Sequence, residues 1–311
     1  MKRVILTGPT GAIGMALIQT FLKEDIEVAA VCHRGSKRIS QIPVVEKVKL
    51  VECDLKEIQT LPMMLDGNYD VFYHLAWSGT AGDARDLVDM QMKNIQYTVD
   101  AVEAACKTGC RKFIGAGSQA EYGRYEGKLN ADVPAFPKNG YGIAKLCAGQ
   151  LSRLRCSQLG MEHVWARILS VYGPYDGEQT MVMSLLGHLL SGKKPSCTKG
   201  EQVWDYLYSK DAARALYLLG KNGKSQKTYC IGSGRSRPLV QYMEILRDAV
   251  CPQCELGLGD IPYEQKQVMY LCADISELKK DTGFEPAYTF EKGIEETIQW
   301  IREARNTALR K

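Results

Sequence analysis

The 311-residue sequence has no strong charge imbalance, no long hydrophobic run and no repeated or low-complexity segment. Its 40 Lys and Arg against 36 Asp and Glu leave a formal net charge of +4, which does not suggest nucleic-acid binding. No apolar stretch approaches the roughly 20 residues of a membrane-spanning helix. The first residues, MKRVILTGPTGAIG, lack the apolar core of a signal peptide. We therefore expect a cytoplasmic globular protein that binds neither nucleic acid nor a membrane.

The 11 cysteines do not form a regular framework. They are scattered mostly inside apolar segments, a pattern that predicts reduced, buried thiols. The one Cys-x-x-Cys, 251-CPQC-254, has no second pair and no nearby His. A closed structural zinc site needs four ligands, so we expect a loop after a helix at this point and no metal site.

What the first half does contain is a regular alternation of short runs rich in Val and Ile with longer segments of helical apolar spacing. Such alternation is typical of a parallel sheet covered by helices on both faces. It predicts an α/β fold with a Rossmann-type doubly wound sheet, whose ligands bind at the carboxyl ends of the strands. Strands are predicted at 3–8, 27–33, 48–54, 70–76, 112–117 and 163–169, and helices at 12–24, about 84–108 and 141–159.

The alternation breaks after residue 170. The remaining segments predict a smaller, mixed α/β C-terminal lobe, with a return to the first domain near 201–220. We therefore assign residues 1–169 and 201–225 to an NAD(P)-binding Rossmann domain. Residues 170–200 and 226–311 are assigned to the substrate-binding lobe.

Three glycines, Gly8, Gly11 and Gly14, follow the first predicted strand and open the first predicted helix. In this position one glycine permits a tight turn, one lets a pyrophosphate approach the backbone, and one lets the helix pack against the strand. The spacing differs from the G-x-G-x-x-G of many dehydrogenases, and a tight strand-to-helix turn is the alternative. Its place at the start of an alternating α/β pattern predicts dinucleotide binding.

The segment after the second strand bears on which dinucleotide is bound. NAD enzymes normally place a carboxylate there for the ribose hydroxyls, whereas residues 31–40 contain no acid. They contain a set of donors suited to a 2′-phosphate, which favours NADP; a merely solvated basic loop would leave NAD. Asp54, at the end of the third strand, could meet the adenine amino group or simply cap a helix. The donors are His33, Arg34, Ser36, Lys37 and Arg38.

Ser118, Tyr141 and Lys145 form the candidate catalytic set. Tyr141 and Lys145 are four residues apart and share one face of a predicted helix, and Ser118 ends the fifth strand at the edge where ligands bind. A phenol has a pKa of about 10 and needs help to exchange a proton near neutral pH. We expect the Lys145 ammonium to lower the pKa of Tyr141, and Ser118 to hydrogen-bond the reacting oxygen.

Further segments extend these motifs along almost the whole chain: TGPTGAIG (7–14), FYHLAW (72–77), GSQAEYG (117–123), YGIAK (141–145), RILSVYGP (167–174), WDYLYSKDAARA (204–215) and YCIGSG (229–234). With these segments the chain resembles the extended short-chain dehydrogenase/reductases, in the branch that acts on nucleotide-diphosphate sugars. The resemblance implies the Rossmann fold, an NAD(P) cofactor, a nucleotide-sugar substrate held in the C-terminal lobe, and a homodimer.

The resemblance also implies roles for individual residues. The helix residue Asn94 matches the family's Asn that supports the active site, and Trp204 stands where the family often has an Arg, so the diphosphate must find its cation elsewhere. The implied cofactor contacts are Gly8, Thr10, Gly11, Ala12, Ile13, Gly14, His33, Arg34, Lys37, Asp54, Leu55, Leu75, Ala76, Trp77, Asn94, Tyr141, Lys145 and Ile168. The implied substrate contacts are Ser118, Gln119, Ser170, Met183, Trp204 and Arg235 or Arg237.

Departures from the family pattern narrow the expected reaction. The family's 4,6-dehydratases carry Asp and Glu after the catalytic Ser or Thr, whereas this chain has Gln119 and Ala120. Its epimerase-reductases carry a Cys at the position of Ala120 and a His at that of Tyr175. Two reactions remain, 4-epimerisation with retained NAD and reduction of a 4-keto sugar by NADPH. The basic loop favours the reductase, and GSQAEYG is similar to the segment of CDP-abequose-synthase-like 4-keto-6-deoxyhexose reductases.

A third interpretation is a regulator on this fold that senses NADP without turnover. Such regulators typically lose the Tyr and the Lys, and this chain retains both as Tyr141 and Lys145. An enzyme is therefore the favoured interpretation.

Overall fold

A computed structural model of the chain describes residues 1–264 and 267–309. Each predicted strand forms within two residues of its expected bounds, and further short strands follow. The strands are β1 (Arg3–Thr7), β2 (Glu27–Cys32), β3 (Val48–Glu52), β4 (Val71–His74), β5 (Lys112–Ser118), β6 (Glu162–Ile168), β7 (Ser170–Tyr172), β8 (Ser196–Cys197), β9 (Val203–Trp204), β10 (Tyr206–Tyr208), β11 (Lys227–Ile231), β12 (Arg237–Pro238) and β13 (Gly257–Leu258).

Seven of these strands form one parallel sheet in the order β11-β6-β5-β4-β1-β2-β3. The chain starts in the middle, fills one side through β3, and then crosses to β4 on the other side of β1. This reversal creates the switch point at which doubly wound sheets bind ligands. The predicted Rossmann-type fold is confirmed.

Helices cover both faces of the sheet. Those on one face, α1 and α5, pack on each other, as do α2 and α3 on the opposite face. The helices are α1 (Ala12–Lys23), α2 (Val88–Lys107), α3 (Gly140–Gln158), α4 (Met181–Leu189), α5 (Ser209–Asn222), α6 (Leu239–Val250), α7 (Ser276–Thr282) and α8 (Phe290–Leu309). Within the described part of the chain, no helix has the length and apolar character needed to cross a membrane.

The alternation of side chains along each strand explains this two-sided packing. In β1, Val4 and Leu6 enter the hydrophobic core beneath α1 and α5, whereas Ile5 enters the core beneath α2 and α3. Successive side chains of a strand point to opposite faces, so a strand buried on both faces is apolar throughout. That is the continuous apolar run from which the sequence predicted β1.

A third hydrophobic core is formed by residues from β7 onward. Residues of α4, α6 and α8 pack there around the rings of Tyr172, Tyr242 and Phe290. The ring centroid of Phe290 lies 4.8 Å from that of Tyr172 and 4.6 Å from that of Tyr242. The aromatic cluster joins β7, at the exit from the main sheet, to the helices of the lobe.

The chain adds one more strand to the main sheet after the segment that the sequence predicted to return to it. Strand β11 pairs in parallel with β6, with Ile231 opposite Ile168, and α7 packs against β11 and α5. Residues 227–231 therefore belong to the sheet, whereas the predicted boundary placed everything after 225 in the lobe. The edge strand escaped prediction because it lies beyond the break in the strand-helix alternation.

Cys251 and Cys254 differ from the expected free thiols. They form a disulfide in the loop after α6, with Cα atoms 5.4 Å apart. That separation lies in the ordinary range for a disulfide. The other nine cysteines are free, and most are buried, as expected.

A row of stacked rings runs across the sheet beneath α2 and α3. Ring centroids are 5.6 Å apart for Phe72 and Phe113, 6.1 Å for Phe113 and His163, and 6.1 Å for His163 and Trp165. Phe113 is fully buried at the centre of this row. Truncating the Phe113 side chain therefore leaves a cavity that the rigid sheet cannot close.

We expect Phe113→Ala to lower the free energy of unfolding by about 3–5 kcal/mol, the usual cost of truncating a buried Phe. Urea denaturation followed by circular dichroism measures the change. The matched control is Phe136→Ala, because Phe136 is 66% exposed and its truncation should change stability by no more than about 0.5 kcal/mol. Equal losses for the two variants would contradict this account of the stack.

Candidate active site

The glycine loop leaves the amino end of α1 open. Gly8 has φ +70°, and a Cβ there would lie 2.8 Å from the backbone N of Ala76. A Cβ on Gly14 would lie 2.2 Å from the carbonyl O of Gly8, so the helix start packs directly on the loop. Gly11, the N-cap, has no side-chain cap, and a Cβ there would meet open space. An uncapped helix start facing open space suits a pyrophosphate, so these residues fit a dinucleotide.

A groove crosses the carboxyl ends of the central strands as two adjoining cavities that share Gly8 and Trp77. The cavity toward β2 and β3 has a volume of about 330 Å³, and the one toward β5 and α3 about 360 Å³. Predicted cofactor residues lining the first are Thr10, His33, Asp54, Leu55 and Ala76. Those lining the second are Gly11, Ala12, Ile13, Gly14, Leu75, Tyr141, Lys145 and Ile168, together with Ser118.

The basic loop after β2 is partly neutralised by acids from β3 and the turn that follows it. The Arg34 guanidinium forms a 2.6 Å ion pair with Glu57, and its backbone N–H donates to Asp54 Oδ1 at 2.9 Å. Lys37 is exposed. Of the predicted donors, His33 and Ser36 line the groove, and Lys56, which sequence analysis missed, lines it as well.

Asn94 does not line either cavity but holds a loop that does. Its side-chain amide donates to Ser78 O at 2.8 Å and accepts from Ser78 N at 3.1 Å. Asn94 is 1% exposed, so this pair of bonds fixes the loop after β4 from inside the protein. The supporting role and the cofactor contact predicted for Asn94 both stay predictions.

Ser118, Tyr141 and Lys145 meet at the end of the groove where β5 stops and α3 starts. Helix α3 begins beside the site because Asn139 caps it, with Oδ1 accepting from Gly142 N at 2.8 Å. Tyr141 stands in the first turn and Lys145 in the second, on one face of α3. The sequence motif therefore becomes a compact cluster at the carboxyl edge of the sheet.

Two influences oppose each other at the Tyr141 phenol. Burial raises the pKa of Tyr141, whereas its hydrogen bond with the Ser118 side chain and the charge of Arg85 lower that pKa. Ser118 can lower it because a hydroxyl donor stabilises the phenolate. Arg85 could not be found from the sequence, since it lies on a short 3₁₀ helix between β4 and α2 and matches no motif.

Lys145 is less directly tied to the phenol than expected. Its Nζ donates to Ala116 O at 2.6 Å, and it lies 3.8 Å from the Trp77 ring centroid but 5.8 Å from that of Tyr141. Burial lowers the pKa of Lys145 to about 7, with Glu121 opposing that shift. Lys145 therefore contacts Ala116 and Trp77 more closely than the Tyr141 ring, and its effect on the pKa of Tyr141 stays a prediction.

A buried ion pair lies directly behind Ser118. Glu121 is fully buried; its Oε1 accepts from Ser118 N at 2.7 Å and from Trp165 Nε1 at 3.0 Å. Its Oε2 accepts from Arg167 Nε at 2.7 Å. The carboxylate is thus saturated with donors and faces the interior. Glu121 lies within the segment GSQAEYG, but nothing in the sequence indicates its contact with Arg167.

The predicted substrate residues do not all gather at the same place. Trp204 Nε1 donates to Ser170 Oγ at 2.7 Å, which joins two of them. Met183 lines a separate cavity of about 720 Å³ between α4 and α8, where Arg38 lies opposite. Arg237 pairs with Glu291 at 3.0 Å, and Arg235 is exposed. Gln119 is half-buried beside Ser118.

Within residues 1–264 and 267–309, no cluster of three or more His, Cys, Asp or Glu side chains could hold a metal ion. Cys251 and Cys254 lie in the disulfide described above.

The chain is similar in sequence to nucleotide-sugar enzymes. CDP-abequose synthase of Salmonella typhimurium is 24% identical over 304 residues, which cover 95% of this chain and 97% of that protein. A dTDP-glucose 4,6-dehydratase of Shigella flexneri is 28% identical over 196 residues, covering 56% of this chain. The chain spans about half the length of that dehydratase and of one from Escherichia coli, 52% and 50% respectively.

Solved structures show the same fold. UDP-N-acetylglucosamine 4-epimerase of Methanobrevibacter ruminantium superposes with a TM-score of 0.88 at 21% identity, covering 97% of this chain and 99% of that one. UDP-glucose 4-epimerase of Thermotoga maritima gives a TM-score of 0.85 at 21% identity with the same coverage. The model of the NAD-dependent epimerase/dehydratase family matches residues 4–232. With its glycine loop, Ser118 and the Tyr141–Lys145 pair within that span, the chain belongs to the NAD-dependent epimerase/dehydratase family.

Proposed function

We propose that the protein reduces a nucleotide-diphosphate-linked 4-keto-6-deoxyhexose at C4, with NADPH as the reductant. The observation that carries the proposal is the meeting of Ser118, Tyr141 and Lys145 at the end of a groove that starts at the uncapped amino end of α1. The proposed proton donor, Tyr141, therefore lies next to the groove that would hold the cofactor. The similarity to CDP-abequose synthase along nearly the whole chain supports the same class of reaction.

Each residue of the cluster has a chemical task in this proposal. The bound cofactor supplies the hydride for C4. Tyr141 donates a proton to the oxygen that becomes the hydroxyl, and Ser118 orients that oxygen by hydrogen bonding. Lys145, fixed by Ala116 and Trp77, stands where it can bind a ribose hydroxyl. Remote contacts of the nucleotide with the lobe would hold the sugar in register.

The surroundings of Ser118 argue against dehydration. Elimination of water requires an acid and a base that reach the sugar, and Gln119 and Ala120 supply neither. The nearest carboxylate, Glu121, is fully buried and bound to Arg167. It does not line the groove, which supports our proposal of a reduction rather than a dehydration.

The choice of NADPH rests on the donors at the β2–β3 end of the groove. His33, Ser36 and Lys56 line the cavity there, and Arg34 follows His33 in the chain. These groups are suited to a 2′-phosphate. Because Glu57 occupies the Arg34 guanidinium, we propose Lys56 and His33 as the main contacts.

A 4-epimerase that retains NAD is the second candidate. The observation in its favour is the acids around the same loop: Asp54 accepts from Arg34 N, and Glu52 accepts from Gly35 N at 3.4 Å. A carboxylate at this place favours free ribose hydroxyls over a 2′-phosphate. The two candidates therefore differ in a measurable binding preference.

We also propose a homodimer through α2 and α3. Their outer faces expose large apolar side chains, which an interface would cover. These residues are Val88, Met92, Ile143, Leu151 and Leu154.

Tyr141→Phe should abolish turnover while leaving the groove intact. With a panel of 4-keto-6-deoxy nucleotide sugars, we expect NADPH oxidation to fall by about 10²–10⁴-fold, since the proton donor is gone. Cofactor binding, measured by fluorescence titration, should be unchanged. Full activity in the variant would contradict the role of Tyr141.

Purified wild-type protein with tightly bound NAD and no net consumption of reductant would favour the epimerase.

Lys56→Ala should weaken NADPH binding and leave NADH binding unaltered. We expect a loss of about 3- to 10-fold for NADPH, the effect of removing one exposed cation from a phosphate. Calorimetric titration of both nucleotides measures it. Lys47→Ala is the control, because Lys47 pairs with Asp25 outside the groove. Tighter binding of NADH than NADPH by the wild-type protein would refute the NADPH assignment.

A further inference from the structure

We propose that Arg85 is a positioning residue of the active site, whose fixed positive charge stabilises the phenolate that Tyr141 becomes when it gives up its proton. The inference rests on the proposed function for its chemical consequence. It concerns a residue that no motif of the sequence identifies, on the short 3₁₀ helix Gly82–Asp86 within the loop between β4 and α2.

Geometry places the charge against the ring. The guanidinium carbon of Arg85 lies 4.9 Å from the centroid of the Tyr141 ring, within the usual distance for a cation–π contact. Arg85 forms no ion pair with any described residue, and its buried Nε has no hydrogen-bond partner among them. A buried N–H group without a hydrogen-bond partner destabilises the folded protein. Such groups are rare in native structures, so this one points to a task other than stabilising the fold.

The loop is held in place from both sides. Gln91 Nε2 donates to Ala84 O at 3.0 Å, and Gln91 Oε1 accepts from Trp77 Nε1 at 2.9 Å. Asp86 Oδ1 accepts from Gly140 N, the first residue of α3, at 2.7 Å. The same contacts thus fix the loop relative to the groove and to the helix that carries Tyr141. These contacts hold Arg85 close to the phenol of Tyr141.

Among the groups that face Tyr141, Arg85 is the main source of positive charge for the phenol. The groups facing Tyr141 are Ser118 from β5, Glu121 from the turn after it, Lys145 from α3 itself, and Arg85. Glu121 raises the pKa of Tyr141, and its charge is offset by Arg167. Lys145 is turned toward Ala116 and Trp77. A guanidinium, in contrast, stays protonated at any pH at which the protein is folded.

The proton transfer shows why that charge matters. The O–H bond of Tyr141 breaks as the proton passes to the substrate oxygen, and the electron pair stays on Tyr141 as phenolate. A buried phenolate without a counter-charge is strongly disfavoured. A neighbouring guanidinium makes the phenol a stronger acid in the forward direction. It equally makes the phenolate more available as the base in the reverse direction.

The test compares Arg85→Gln, which removes the charge, with Arg85→Lys, which keeps it. In the reductive direction, kcat/KM falls as pH rises through the pKa of Tyr141, because the phenol must be protonated to act. We expect Arg85→Gln to move this fall upward by about one pH unit and to lower the rate at neutral pH by about tenfold. Arg85→Lys should recover most of both effects. Arg111→Gln is the control. Because Arg111 lies at the opposite edge of the sheet, this change should alter neither the pH profile nor the rate at neutral pH.

A readout without turnover accompanies the kinetics. The phenolate absorbance of Tyr141 is obtained by subtracting the titration of a Tyr141→Phe protein from that of the matching Tyr141 protein, over the pH range in which circular dichroism is constant. The titration should move upward in Arg85→Gln and return in Arg85→Lys. If wild-type protein turns over no keto sugar, the proposed function fails, but this titration still decides the role of Arg85.

Other outcomes would overturn the inference. A rise in KM with an unshifted pH profile would make Arg85 a substrate contact. A loss of activity with an unshifted titration and a lowered melting temperature would make its role structural. Equal behaviour of the Gln and Lys variants would show that the charge itself is irrelevant.

Discussion

A single buried carboxylate holds together the part of the molecule on which the active site depends. Glu121 accepts hydrogen bonds from the backbone of Ser118, from Trp165 and from Arg167, and none of its surface reaches solvent. Removing one partner of such an arrangement leaves an uncompensated buried charge, at a cost of about 3–5 kcal/mol. The end of β5 is therefore fixed relative to β6, and Ser118 is fixed with it.

This constraint links the core of the fold to its chemistry. Trp165, which binds Glu121, is also the last ring of the stack that crosses the sheet from Phe72. Side chains packed in a close-packed core transmit position because they have little room to move. The hydroxyl of Ser118 thus takes its place from the rigid sheet, and the phenol of Tyr141 takes its place from a capped helix. A loop alone would hold neither so firmly.

The electrostatics of the site follow from burial as much as from charge. Burial acts in opposite directions on the two residues of the YGIAK segment: it raises the pKa of Tyr141 and lowers the pKa of Lys145 to about 7. Both shifts favour the neutral forms, as expected in a low-dielectric setting. Two charged groups that shift the pKa of Tyr141, Arg85 and Glu121, lie on other elements. The family motif therefore indicates a candidate proton donor, Tyr141, without identifying all of the groups around it.

Much of this protein could be predicted from its sequence. The strands from β1 to β6 were recognisable as apolar runs, because a strand buried on both faces must be apolar throughout. The glycine loop and the Tyr141–Lys145 pair were recognisable because their chemistry requires fixed local spacing. What only the tertiary structure decided are contacts between residues far apart in the chain: Arg34 with Glu57, Arg85 with Tyr141, Glu121 with Arg167, and the return of β11 to the sheet. Such contacts leave no periodic or local signal, since they depend on how separate elements come to lie side by side.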